Sequence, residues 1–401
     1  EWFFFQKLST HWLKRHAFML TAIVITIALI AGLYIGINQL EKIDLGYSLR
    51  DFTLSQRLLT ELRVVIFYVS LLFWPHPSRL NLDHDFPLSS SLTTPFTTLL
   101  SISAIVALAA LARHLAPKER FLSFGIIWFL GNLVIESSVI PLEIIFEHRT
   151  YLPLVFGIAA IVFLAGRILK PQWLKIAALI MAVAVCAVWT HDRNAIWQDD
   201  VTLWSDCVKK SPGKARPHYN LGLALEASGR SGEAIQSYLQ AVRINPNHAE
   251  AYNNLGVAHA EKGMLPEAVH YYSLSLRINP AFDRAHHNLG LALAGQGRMN
   301  EALRHFSEAL RINPDYANAH HNLGIALAGK GQLDKAVNHL KRAVHIRPDF
   351  AEAHNNLGLA QVKRGNLKQA VESFAEALRI DPDYGEARRN LRLALRQTKQ
   401  L

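Results

Sequence analysis

The chain has 401 residues, half of them apolar, and its Lys and Arg outnumber its Asp and Glu by ten, a length that accommodates two domains. Two cysteines, Cys186 and Cys207, are too few and too poorly placed for a disulfide framework. Nothing reads as a nucleotide-binding domain, and neither a nucleic-acid partner nor a cofactor is expected. The basic excess is uneven, with 26 Lys/Arg against 18 Asp/Glu in residues 201–401, and hydropathy divides the chain near residue 190.

The first half is lipid-like. The chain begins with Glu1 and runs into Trp2-Phe3-Phe4-Phe5, which reads as a break inside a larger protein. Apolar runs at about 18–38, 59–75, 94–114, 121–136, 151–168 and 173–190 approach the roughly 20 residues a helix needs to cross a bilayer, so six spans are expected. Arg113, Lys118 and Arg120, then Arg167, Lys170 and Lys175, lie in two loops that the positive-inside rule assigns to the cytoplasm. That orientation places the second half outside, together with the loops 76–93 and 137–150. In the first of these, Asp83 and Asp85 form an Asp-x-Asp pair, too weak a signal to be read as catalytic. In the second, Arg149 follows His148 at the mouth of a span. Its guanidinium has the two-pronged geometry that binds a lipid-linked phosphate; pairing with Glu143 or Glu147 is the structural alternative.

The second half repeats. Pro212, Pro246, Pro280, Pro314, Pro348 and Pro382 recur every 34 residues, and Asn220, Asn254, Asn288, Asn322, Asn356 and Asn390 keep the same register, as do Gly222, Gly256, Gly290, Gly324 and Gly358. Each unit reads as two antiparallel helices with small residues where the helices approach, ended by a proline that cannot continue a helix. Asp199–Pro212 reads as a lone second helix, and Glu386–Gln397 as a terminal cap whose Arg388, Arg389, Arg392 and Arg396, followed by Lys399, form a solvated face or meet an acidic partner. An Asn side chain offers donor and acceptor together, so the column can hold a peptide backbone regardless of its sequence; equally, each Asn can tie one repeat to the next. His286-His287 and His320-His321 do not read as metal sites, because adjacent helical residues diverge by about 100° and no metal is expected.

The units resemble tetratricopeptide repeats over five copies. Taken with Leu58-Leu59-Thr60-Glu61, Asn81-Leu82-Asp83, Glu147-His148-Arg149-Thr150-Tyr151-Leu152-Pro153 and Arg193-Asn194-Ala195-Ile196-Trp197, the chain resembles the transmembrane and tetratricopeptide-repeat-containing O-mannosyltransferases and their bacterial relatives. The resemblance implies a multi-span glycosyltransferase fold, a polyprenyl-phosphate sugar as donor, and acidic catalytic residues in a first outward loop upstream of Glu1. The full-length parent is then expected to be an enzyme and this segment alone inactive, with no residue here assigned the catalytic role. In their Asn column the repeats also resemble those of the soluble O-linked N-acetylglucosamine transferase.

The expected fold is all-α, a multi-span transmembrane bundle followed by an α-solenoid. Its parts are a membrane domain at 1–190, a junction with a half-repeat helix at 191–214, five repeats at 215–384 and a capping helix at 385–401. The expected function is protein O-glycosylation at a membrane, bacterial inner membrane in type, with the repeats on the extracytoplasmic side holding a protein or peptide acceptor. Arg149 and His148 are the donor-phosphate candidates, and Asn220, Asn254, Asn288, Asn322 and Asn356 the peptide-binding candidates. A non-catalytic membrane-anchored scaffold is the alternative.

Overall fold

A computed structural model describes residues 52–136 and 151–398, with a few helical positions between 11 and 22. Among the described residues all extended regular structure is helical. The chain divides into two compact units, residues 1–217 and 218–401.

In the first unit, α1 (Leu54–Phe73) starts at a capping box: the Thr53 hydroxyl accepts from the Gln56 N–H, and the Gln56 side chain accepts from the Thr53 N–H. Two of the helix's otherwise unmet backbone donors are thereby satisfied. Val64, Val65, Tyr68 and Leu71 pack against Phe129 and Leu133 of α3 (Arg120–Glu136). The same helix buries polar groups that hydropathy alone would place in water. Arg57 and Glu61 pair at 3.2 Å with almost no exposure, and the Thr60 hydroxyl donates to the Gln56 carbonyl while accepting from the Ser89 N–H. Such groups are tolerated inside because they are partnered.

Three further helices are α2 (Thr97–Leu115), α4 (Tyr151–Ile168) and α5 (Gln172–Ile196). Among the described residues, α2 and α5 are long and apolar enough to cross a membrane. α5 has no buried residue, and its Ile180 and Met181 are 64% and 68% exposed, a surface that water does not favour. The apolar parts Arg120–Leu133 of α3 and Gly157–Ile168 of α4 are shorter. All but three positions of the expected run at 18–38, the loop 137–150 and, with it, His148 and Arg149 fall outside the described residues.

α6 (Asp200–Lys210) is capped by Asp199, whose carboxylate accepts from the Thr202 N–H at 2.9 Å. Helix pairs then repeat: α7 (Ala215–Ala227) with α8 (Ser231–Ile244), α9 (Ala249–Glu261) with α10 (Leu265–Ile278), α11 (Asp283–Gly295) with α12 (Met299–Ile312), α13 (Ala317–Gly329) with α14 (Leu333–Ile346), and α15 (Ala351–Lys363) with α16 (Leu367–Ile380), closed by α17 (Gly385–Thr398). Gly229, Gly263, Gly297, Gly331 and Gly365 turn each first helix into its partner at φ between 73° and 84°, a conformation that costs glycine little and other residues much. The other glycine column answers a different need. A methyl group at Gly290 would lie 2.6 Å from the Phe306 ring, and one at Gly358 2.5 Å from the Phe374 ring. Tyr238, Tyr272, Phe306, Leu340 and Phe374 thus fill, repeat by repeat, the space their glycine leaves open. First helices of successive repeats also touch, α9 with α11 and α13 with α15, so they form one continuous wall.

Candidate functional site

That wall carries the asparagine column. Each column Asn reaches back 35 residues to the position just before the preceding column Asn. The Nδ2 of Asn254 donates to the Tyr219 hydroxyl at 3.4 Å, that of Asn288 to Asn253 Oδ1 at 3.1 Å, those of Asn322 and Asn356 to His287 Nε2 and His321 Nε2 at 2.8 Å, and that of Asn390 to Asn355 Oδ1 at 2.9 Å. Within a helix the bonding continues sideways. Asn253 Nδ2 donates to Asn254 Oδ1 at 3.2 Å, and His287 Nδ1 lies 3.3 Å from Asn288 Oδ1. Because His287 Nε2 accepts from Asn322, its proton sits on Nδ1 and points to Asn288. One chain of donors therefore runs from Asn322 through His287, Asn288, Asn253 and Asn254 to Tyr219.

The inter-repeat tie is thus present for four of the five candidates; Asn220 begins the column. All five are half-buried, and an Asn amide holds two N–H donors and two acceptor lone pairs, so a single tie does not exhaust it. One helical turn further along, on the same face, lies an apolar row in the same register: Leu223, Val257, Leu291, Ile325, Leu359 and Leu393. Leu223, Leu291, Ile325 and Leu393 are 39%, 44%, 41% and 56% exposed. Beside it the wall carries charge of both signs, Arg216, Glu250, Arg284 and Glu352. A strip of amides next to a strip of exposed aliphatic side chains matches an extended polypeptide, which presents backbone amides and alternating side chains.

The histidines have structural work that spacing did not reveal. His286 Nε2 lies 3.1 Å from the Pro280 carbonyl, so it carries the proton, and its Nδ1 accepts from His305 Nδ1 at 3.0 Å. His320 repeats the pattern with the Pro314 carbonyl and His339 at the same distances. His321 is buried beside Phe350, at 4.7 Å between ring centres. Among the described residues no three His, Cys, Asp or Glu side chains gather as a metal site.

Burial holds the His287, His305, His320 and His339 imidazoles below their ordinary pKa. His321 is held down to about 4, by burial first and then by the Arg347 guanidinium and His287. A folded pKa below the unfolded one means that the unfolded chain binds more protons. The contribution is therefore complete above about pH 6.5 and is lost as pH falls toward 4. Hydrogen-exchange protection in α11–α14, taken relative to the intrinsic exchange rate at each pH, is expected to fall across that window, and His321→Asn, the residue type standing at 253 and 355, to flatten the dependence. Exchange protection unchanged from pH 7 to 4.5 would refute this.

In the first unit, Arg193, Asp206 and Lys210 join α5 and α6 to the loop after α1. The Lys210 ammonium donates to the Pro77 and Leu80 carbonyls and to Asp206, at 2.9, 2.8 and 2.6 Å, and Arg193 lies 3.4 Å from the same carboxylate. The Ser211 hydroxyl accepts from the Asp85 N–H at 2.8 Å and is 2.7 Å from Asn81 Nδ2. Asp85 is thus held by its backbone, with its carboxylate beside Gly213 and the residue itself exposed, and Asp83 is 9% exposed.

Comparison with known proteins identifies the repeats. Models described as "TPR repeat" match residues 227–263, and as "Tetratricopeptide repeat" residues 249–282, 282–349 and 321–385. The chain therefore carries tetratricopeptide repeats across 227–385. Protein O-mannosyl-transferase Tmtc3 of Drosophila melanogaster is 29% identical over 159 residues, 38% of this chain and 17% of that protein's length. YrrB, a TPR protein with an unusual peptide-binding site, is 24% identical with a TM-score of 0.41, covering 49% of this chain and 98% of YrrB. MamA from Desulfovibrio magneticus RS-1 is 25% identical at a TM-score of 0.39, over 42% of this chain and 96% of MamA.

Proposed function

We propose that the repeat array grips an extended segment of a protein partner along the wall of first helices, and that this partner is the acceptor of a membrane glycosyltransferase to which the chain belongs. The observation that carries the first part is the pairing of the Asn column with the exposed aliphatic row Leu223, Leu291 and Ile325. Amides hold a backbone of any sequence, and the aliphatic row rewards apolar side chains on it. The second part is supported by the likeness to Protein O-mannosyl-transferase Tmtc3 and by the two helices suited to a bilayer. On this reading a polyprenyl-phosphate sugar is the donor, Arg149 and His148 are candidates for its phosphate, and the repeats face the extracytoplasmic side. The domain plan expected from sequence, 1–190, 191–214, 215–384 and 385–401, is part of the same proposal.

The test separates binding from folding. Peptides selected on the full chain from a random library are expected to lose about tenfold in affinity with Leu291→Ser and Ile325→Ser, which lie outside the amide ladder, and at least as much with Asn254→Ala, Asn288→Ala and Asn322→Ala combined. A tenfold loss corresponds to about 1.4 kcal/mol, the order of energy that two partly exposed aliphatic side chains supply on burial. Unchanged affinity in the serine variants would reduce the wall to a structural role. In membranes containing the full-length parent, labelled sugar is expected to pass from polyprenyl phosphate to protein, and less of it with Arg149→Ala. Peptide capture without transfer from any donor would leave a membrane-anchored scaffold.

A further inference from the structure

Between α1, α2, α3 and α4 lies an open cavity of about 290 Å³ whose lining is entirely apolar, with Phe73, Leu111, Leu122, Phe129, Ala160 and Leu164 among its walls. Gly125 and Gly157 are among its lining residues, and Leu72 packs so close to Gly157 that a methyl group there would meet it at 3.1 Å. An apolar cleft on a water-facing surface is costly; among lipid tails it is a seat for a hydrocarbon chain.

One end of the cavity is marked by Leu115, Leu122 and Leu164, the last residue of α2, the third of α3 and a residue in the last two turns of α4. At those same helix ends the sequence places Arg113, Lys118, Arg120, Arg167 and Lys170, with Glu119 as the one acid among 113–120 and 164–170. Glu119 is engaged by Arg167, whose guanidinium also lies over the Phe163 ring at 5.7 Å. That pair fixes the α2–α3 turn to the end of α4. Arg113 and Lys118 are exposed, so the rim of an apolar cleft carries a cationic surface.

We infer that this cleft holds an acyl chain of an anionic glycerophospholipid, with the phosphate headgroup on the basic rim at Arg113 and Lys118. The inference rests on the membrane reading above and adds a ligand to it. Charge selects the headgroup: a basic surface next to a bilayer favours anionic over zwitterionic lipid, and each Lys or Arg contributes several-fold. The chain is selected by shape, because a cavity with no polar lining returns nothing to a hydrated ligand.

The experiment is native mass spectrometry of the full chain released in detergent from vesicles of equal phosphatidylglycerol and phosphatidylcholine. One retained phosphatidylglycerol is expected, preferred about tenfold or more over phosphatidylcholine. Arg113→Gln with Lys118→Gln, both exposed, is expected to bring that preference to near parity without changing helix content. Ala160→Phe is expected to abolish retention of either lipid. Equal retention of the two lipids by the unmodified chain, or retention unaffected by both variants, would overturn the proposal, as would displacement of phosphatidylglycerol by an equimolar polyprenyl phosphate. A chain that stays in solution without detergent would instead refute the membrane reading itself.

Discussion

Phe306→Ala is expected to cost the repeat array about 3–5 kcal/mol, the usual range for emptying a closed aromatic site. Phe306 is 1% exposed and joins Tyr272, Leu289, Leu293, Leu323 and Leu327 in one buried cluster that spans three repeats. The ring also covers the bare backbone at Gly290, so its loss opens the interface between α11 and α12 there. Gly290→Val attacks the same contact from the other side. Its side chain would begin 2.6 Å from a ring that cannot swing away without leaving the cluster. Phe306→Leu is expected to be mild, because Leu340 fills the corresponding place against Gly324 one repeat later. Since a repeat array is held by nearest-neighbour interfaces, damage in this central repeat is also expected to split denaturant unfolding into two steps. A single transition shifted by less than about 1 kcal/mol for Phe306→Ala would show that the cluster is not what couples the repeats.

The columns that made the repeats legible are those with one residue type throughout: proline at each unit's end, glycine at the close approach, asparagine on the wall. What the asparagines bond to was hidden, because the acceptor position changes identity from Tyr219 to Asn253, His287, His321 and Asn355. Only the ability to accept a hydrogen bond persists, and the offset of 35 residues differs by one from the period. The histidine pairs were hidden for a related reason. Attention falls on the adjacent His286-His287, while the contact is with His305, on the facing helix 19 residues away. In the first half, hydropathy located α2 and α5 but not the start of α1, whose first two turns carry Arg57 and Glu61 inward. Buried ion pairs leave no periodic trace, and neither does the docking of α6 on a loop some 130 residues earlier.

That docking supplies the second large effect. Asp206→Ala removes a carboxylate that Arg193 and Lys210 share, at a site where the three side chains are only 12–19% exposed. Breaking a well-buried pair costs about 3–5 kcal/mol. Here the Lys210 ammonium keeps the Pro77 and Leu80 carbonyls, so a loss of about 2–3 kcal/mol is expected, a shift of about 30- to 150-fold in the local opening equilibrium. The neighbouring residue reports it directly. Cys207 is 1% exposed, and burial raises its thiol pKa, so in the native protein it is both hidden and protonated. In a Cys186→Ala background, maleimide labelling of Cys207 is expected to accelerate about 30-fold or more in Asp206→Ala. Asp206→Asn keeps one acceptor oxygen for Lys210 and is expected to fall between. Equal labelling rates in all three proteins would mean that Cys207 is protected without the carboxylate, and that packing of Leu203 and Cys207 alone holds α6 in place.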